Sequence, residues 1–310
     1  MIKISNGNLE YFKVLNFLDF GKIFVTDRIL KSQKKGDGMD DKDKNKDYIL
    51  DNDEECLRLE RQAKLYGFED DLKHLSLAST DHVLDVGCGS GAITRKIACA
   101  VPDGNAVGAD RESKYIKFAR RKSALENIRN IQFEVGDVLK LPFENDSFDV
   151  VWSKHLLQFV MERNQALSEF KRVLKPGGRI VCCNYDGIGT FHDPMDDELQ
   201  RALDLWWEMA DKELGIDRYL GRKLPIMFLD TGFVDIKVDL IPDHILGGFG
   251  GDPGKKWNWD VQLQSIYEFS VKVYGSRERA KLYHEHFLEL FSRPDVYLYC
   301  ALFYVEGRKP

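Results

Sequence analysis

Between residues 82 and 183 short apolar runs alternate with amphipathic stretches. The runs His82–Val86, Ala106–Ala109, Ile131–Val135, Phe148–Trp152 and Arg179–Cys183 read as strands, and residues 92–100, 113–126, 155–161 and 164–174 read as helices. Strands that alternate with crossover helices imply parallel pairing, so the pattern predicts an α/β sheet covered on both faces. Ahead of it, from about residue 52, Cys56, Leu59, Ala63 and Tyr66 recur at helical spacing and predict one amphipathic helix.

After residue 186 the rhythm changes to helical segments rich in aromatic residues: Trp206, Trp207 and Tyr219, then Trp257, Trp259, Tyr267, Phe269 and Tyr274. These flank two more strand candidates, Val234–Leu240 and Val296–Val305, the second rich in β-formers. At the other end, residues 31–47 hold eleven charges of both signs and one apolar residue, too little apolar surface to offset the entropy of ordering. They read as a flexible linker. It separates a segment over residues 1–30, whose Phe12, Leu15, Phe17, Leu18 and Phe20 suggest docking, from a single catalytic-type domain over 48–310. Cap insertions are expected at about 187–224 and 243–295.

Composition narrows the class. With 45 basic against 51 acidic residues the formal charge is −6, which repels a phosphate backbone and argues against nucleic acid as a partner. No apolar run is long enough for a membrane span or a signal peptide, and the six cysteines include no C-x-x-C pair. Reduced thiols and a cytoplasmic address follow, and no metal site is expected.

The strongest local signal is Val83-Leu-Asp85-Val-Gly87-Cys88-Gly89-Ser-Gly91-Ala-Ile93, a strand running through a glycine turn into a helix. Such a turn lets a ligand press on bare backbone at a helix N-terminus. Gly87-x-Gly89-x-x-Ala92 also satisfies the dinucleotide pattern, with Asp110, followed by Arg111, near the spacing of a ribose-binding carboxylate. The loop alone leaves NAD and S-adenosylmethionine both open.

Four more features separate them. Asp85 stands two residues before the first glycine, Gly136-Asp137-Val138 follows the third strand, Glu169–Gly178 ends in Pro-Gly-Gly before the fifth, and two late strands enclose a long insertion. In this order the set resembles the class I S-adenosylmethionine-dependent methyltransferases, and among them the small-molecule, UbiE-like members, over residues 48–186 and the C-terminal strand. The resemblance implies a Rossmann-like, doubly wound, seven-stranded α/β sheet, mostly parallel with an antiparallel C-terminal strand, and a helical cap from the insertions. It implies S-adenosyl-L-methionine as cofactor and S-adenosyl-L-homocysteine as product.

By that resemblance Gly87, Cys88, Gly89 and Gly91 line the methionine and ribose, and Asp85 orients the loop and receives the amino group. A solvent-facing Asp110 with Arg111 takes the ribose, while Asp137 and Val138 take the adenine. The lead-in Tyr48-Ile-Leu-Asp-Asn, Glu55 and Arg58-Leu-x-x-Gln62 resembles a bacterial subset, and puts Gln62 within reach of the methionine end. Ser153 and Lys154 leave strand four at the sheet edge where open α/β sheets bind ligands, so their backbones are cofactor candidates. His155 beside them is the candidate general base, an imidazole able to accept a proton near neutral pH.

The acceptor is less legible. Ser153-Lys-His-Leu replaces the Asn/Asp-Pro-Pro-aromatic of amino-methylating DNA enzymes, and no proline precedes a cysteine as cytosine C5 chemistry requires. The expectation is a small-molecule substrate methylated at O, N or C by direct displacement. A methyltransferase-like protein that binds cofactor without catalysis is the alternative, and a nicotinamide oxidoreductase a lesser one.

Overall fold

A computed structural model describes residues 54–65, 69–247, 260–261 and 263–310. The N-terminal segment, the charged linker, Tyr48, Tyr66, Trp257 and Trp259 lie outside the described residues. Continuous apolar runs become buried parallel strands, as they must when helices cover both faces. The strands are β1 (His82–Val86), β2 (Asn105–Asp110), β3 (Ile131–Val135), β4 (Phe148–Lys154), β5 (Leu174–Asp193), β6 (Val234–Leu246) and β7 (Tyr297–Arg308), in the sheet order β3-β2-β1-β4-β5-β7-β6. β1 to β5 pair in parallel, and β7 runs antiparallel between β5 and β6. The seven-stranded, mostly parallel sheet expected from the sequence is present, with its one reversed strand at the C-terminus.

Two helices precede the sheet, α1 (Glu54–Leu65) and α2 (Glu69–Leu75). α3 (Ala92–Ala100) follows β1, α4 (Ser113–Leu125) follows β2, and α5 (Arg163–Val173) leads into β5. The late insertions supply α6 (Asp197–Leu214), α7 (Leu220–Asp230), α8 (Tyr267–Tyr274) and α9 (Arg277–Ser292). Their ends are chemically marked: the Asp196 carboxylate accepts the Leu199 N–H at the start of α6, and Gly215 closes that helix in the left-handed conformation.

Each face of the sheet has its own core. One joins Ile97 and Ala98 of α3 to Trp152, Cys183 and Tyr185 of the strands and to Trp206, Trp207, Phe269 and Phe287 of the insertions. The other packs Leu167 and Phe170 of α5 and Leu224 and Phe228 of α7 on Leu84, Val151 and Ile180. The tryptophans of α6 therefore pack the main body: Trp206 meets Trp207 and Phe269 edge-on, and its Nε1–H donates to Ser270 Oγ.

Several expected boundaries shift. β5 continues through residues 187–193, because β7 pairs with it as far as Asp193, and β6 continues to Leu246 against Tyr297. The helix expected over 155–161 is only a 3-10 turn, Leu157–Phe159, because His155 takes a left-handed φ of 58° while its N–H extends the ladder to Cys183 O. α4 stops at Leu125, just before Asn127, which adopts φ 55°. Strand order reverses between β1 and β4, and in open α/β sheets the crevice beyond the C-terminal ends at such a point takes ligands.

Candidate cofactor and acceptor site

The glycine loop closes that crevice from the β1 side. Gly87 and Cys88 both donate their N–H to Ala109 O, and Gly91 N–H donates to Cys88 O. Gly89 donates its N–H to Asp110 Oδ2 at 3.0 Å, while Glu112 N–H donates to the other oxygen at 2.9 Å. One carboxylate thus joins the turn after β1 to the turn after β2. It is buried, not solvent-facing as the sequence suggested, and burial pushes its pKa up to about 6 against the pull of the two N–H donors.

The glycines differ in what they serve. Gly91, at φ 74°, would set a Cβ 2.6 Å from the Phe133 ring and 2.8 Å from Ala119, so its bareness is needed for helix–strand packing. Gly89, at φ 52°, would set a Cβ near the tip of Leu59 alone among the described residues, at 3.0 Å. Its outer side remains bare backbone under α1, a surface a flat or polar ligand can approach closely. Cys88 turns its thiol inward against Gly108 and Phe133, leaving only its main chain toward the crevice.

Asp85 is buried and accepts Thr94 Oγ1–H at 2.6 Å. Burial, opposed by that bond, raises its pKa to about 7, with Asp110 and Asp71 adding repulsion. Ser153 Oγ–H donates to Val86 O and ties β4 to β1 at the strand-order reversal. Arg111 lies 3.4 Å from Glu112. Asp137 is exposed at the β3 end and caps its own turn by accepting Leu139 N–H, while Val138 packs toward the core.

Of the expected residues, Lys154 and Gln62 have side chains bonded to other residues. Lys154 Nζ donates to both oxygens of Asp71 in α2, at 2.9 and 2.8 Å, and Tyr304 O–H donates to the same carboxylate. Only the Lys154 main chain is left facing the crevice. Gln62 Oε1 accepts from Arg58 Nη1, and Arg58 is itself doubly bonded to Glu55 within α1.

The β4–β5 side has a different character. His155 stacks on Tyr185 with ring centroids 4.4 Å apart and planes 10° from parallel, and its Nδ1 has no hydrogen-bond partner. Burial first, then the Lys154 charge, holds its pKa well below the usual imidazole value, so the ring is neutral near pH 7. The next residue, Leu156, lies against Gly87, which puts His155 beside the glycine loop. Sequence reasoning missed the neighbouring pair Asn184 and Gln158. Both are fully buried, Asn184 Nδ2 donates one hydrogen bond to Gln158 Oε1 at 3.4 Å, and Asn184 Oδ1 and Gln158 Nε2 are left unpartnered. No sequence motif marks them, since their burial depends on how β5 meets the turn after β4.

Among the described residues no cluster of three or more His, Cys, Asp or Glu is placed to hold a metal, and no helix is long and apolar enough to cross a membrane. The described groups, two buried carboxylates beside a bare glycine backbone, suit the hydroxyls of a ribose and the ammonium of a methionine.

A methyltransferase domain model matches residues 77–219. An uncharacterised methyltransferase of Schizosaccharomyces pombe is 38% identical over 161 residues, half of this chain and 57% of that protein. A demethylmenaquinone methyltransferase of Lactococcus lactis is 40% identical over 134 residues, 43% of this chain and 51% of that one. The chain thus spans about half the length of the curated relatives it matches. The structure of a Haemonchus contortus phosphoethanolamine N-methyltransferase in complex with S-adenosyl-L-methionine shares the fold, with a TM-score of 0.54 at 18% identity over 85% of this chain and 59% of that one. The domain match, the relatives and the sheet order agree on a methyltransferase-like domain within this chain, matched over residues 77–219.

Proposed function

We propose that this protein transfers a methyl group from S-adenosyl-L-methionine to an O, N or C nucleophile of a small molecule. The observation that carries the reading is the Asp110 carboxylate, which holds Gly89 and Glu112 by one oxygen each and keeps lone pairs for two ribose hydroxyls. Asp85 receives the ammonium of the methionine part, and the main chain of Gly87, Cys88 and Gly89 lies along it. Asp137 and Val138 border the adenine, with Arg111 flanking the ribose. The main chains of Ser153 and Lys154 floor the crevice, and Gln62 on α1 covers its methionine end.

The bound cofactor supplies an electrophilic methyl on a sulfonium. The protein's share is alignment and exclusion of water, which suffice for many direct displacements. His155, neutral and beside the loop, can take a proton from an acidic acceptor such as a phenol or enol, though its depressed pKa makes it a weak base. Asn184 and Gln158, offering one acceptor and one donor, suit a hydroxyl, amide or carboxyl on the substrate. The late insertions, represented among the described residues by α6 to α9, are read as bounding the acceptor side of the domain. The absence of a membrane-crossing helix among the described residues and the six free cysteines support a cytoplasmic address.

Calorimetric titration of the full chain with S-adenosyl-L-methionine, S-adenosyl-L-homocysteine and NAD tests the cofactor. Binding of the first two and silence from NAD is expected, and NAD binding alone would overturn the reading. Release of S-adenosyl-L-homocysteine is then followed across a small-molecule panel that starts with demethylmenaquinone, the acceptor in the name of several relatives. Cofactor binding without turnover on any acceptor would leave the binding-protein alternative standing. On the first acceptor found, His155→Ala should lower kcat about 10- to 100-fold if the imidazole accepts the proton, and leave it unchanged if alignment alone operates.

A further inference from the structure

Arg95, on the first turns of α3, is buried and bonded at three points. Its Nη1 donates to Ser90 O inside the glycine loop at 3.2 Å, its Nη2 to Glu60 on α1 at 2.6 Å, and its Nε to Glu126 beyond α4 at 3.0 Å. The two carboxylates are unlike. Glu60 is 13% exposed, and its second oxygen has no partner, whereas Glu126 is 47% exposed. Beside this link α1 sets Leu59 against Gly89, so the same helix that Arg95 holds covers the loop.

We infer that Arg95 is a positioning residue that keeps α1 closed over the glycine loop and so sets how long the cofactor stays bound. This rests on the reading of that loop as the S-adenosylmethionine site. A planar guanidinium holds a carbonyl and two carboxylates at fixed angles from three nitrogens, a fork that the single ammonium of a lysine does not reproduce. The bond to Ser90 O fixes the loop from inside, and the bond to Glu60 carries that fixed point to the cover. Opening α1 requires breaking a buried charged contact and leaving Arg95 partly uncompensated, so closure is maintained without any contact between Arg95 and the ligand.

The probe is S-adenosyl-L-homocysteine, with association and dissociation rates measured separately on the full-length protein. Glu60→Gln keeps shape and removes the charge, and should raise the dissociation rate about tenfold with association within about twofold, the size expected for loss of a charge-assisted bond. Arg95→Gln should do at least as much, Arg95→Lys should restore part of the loss, and the Glu60→Gln/Arg95→Gln double variant should be no worse than Arg95→Gln alone. Glu126→Gln, which loosens only the outer anchor, should stay within about twofold. An unchanged dissociation rate in Glu60→Gln, or an equal effect from Glu126→Gln, would overturn the inference even if Arg95→Gln fails to fold. If the unaltered protein does not bind the probe at all, the cofactor reading itself has failed, which is a separate result.

Discussion

The two sides of the crevice are built on opposite plans. On the β1–β2 side each polar group of the loop meets another: Gly87 and Cys88 on Ala109, Gly89 and Glu112 on Asp110, Thr94 on Asp85. On the β4–β5 side His155 Nδ1, Gln158 Nε2 and Asn184 Oδ1 lack partners, and His155 holds a left-handed backbone that is uncommon outside glycine. Buried polar groups are ordinarily satisfied, so groups left open mark where a variable ligand is read. On the function proposed above, the difference separates a half made in advance for one cofactor from a half left open for an acceptor.

Four measurements can break or sharpen this contrast. The largest effect is expected from Asp110→Ala, which strips two N–H groups of their acceptor as well as the ribose of its partner. S-adenosyl-L-homocysteine affinity should fall about 100-fold by calorimetry, with the thermal midpoint also lowered because a buried carboxylate with two charged hydrogen bonds is lost. Unchanged affinity would remove the preformed half from the comparison.

Next, Gly91→Ala should cost about 2–3 kcal/mol in denaturant unfolding, since a Cβ 2.6 Å from Phe133 adds overpacking to backbone strain. Gly89→Ala, whose Cβ meets only a flexible leucine tip, should cost less stability and more affinity. Equal stability losses would show that both glycines are merely packing residues.

Third is pH. Burial favours the protonated form of Asp85, with a pKa of about 7 in the fold against an ordinary 3.8, so this group's contribution to stability falls as pH rises from 3.8 through about 7 and then levels off. An ammonium seated there reverses the preference and expels the proton. Affinity for S-adenosyl-L-methionine should therefore rise about tenfold between pH 6 and pH 8, with proton release detectable by titration in buffers of different ionisation enthalpy. Asp85→Asn should flatten the profile, and a profile that stays steep would move the titration to Asp110.

The smallest effect belongs to Asn184→Leu. Removing a half-satisfied buried amide, which also leaves Gln158 Oε1 without its long bond, should leave S-adenosyl-L-homocysteine affinity within about twofold and lower unfolding stability by no more than about 1 kcal/mol. A large loss of either would mean that this side is as closed a unit as the other. The KM for whichever acceptor is turned over should rise in the same variant.

Strand runs such as His82–Val86 and Phe148–Trp152 and the Gly87–Gly91 turn were legible because local composition decides them: apolar continuity buries a strand, and positive φ calls for glycine. The false helix at 155–161 arose where one residue, His155, leaves the local pattern to continue a ladder with Cys183, a long-range partner. Only the main chain of Lys154 was offered to the cofactor from the sequence, and that Asp71, eighty-three residues away, takes its side chain was not legible there.

By itself, the order of apolar runs and glycines determined a doubly wound sheet and the place of its crevice, since periodicity and turn chemistry act over a few residues. Only the tertiary structure decided that Asp110 is buried, that Arg95 joins α1 to the loop, that the tryptophans of α6 pack the main core, and that Asn184 and Gln158 stand open. Each of these depends on burial and on partners distant in sequence, and desolvation and hydrogen-bond satisfaction are properties of the packed chain.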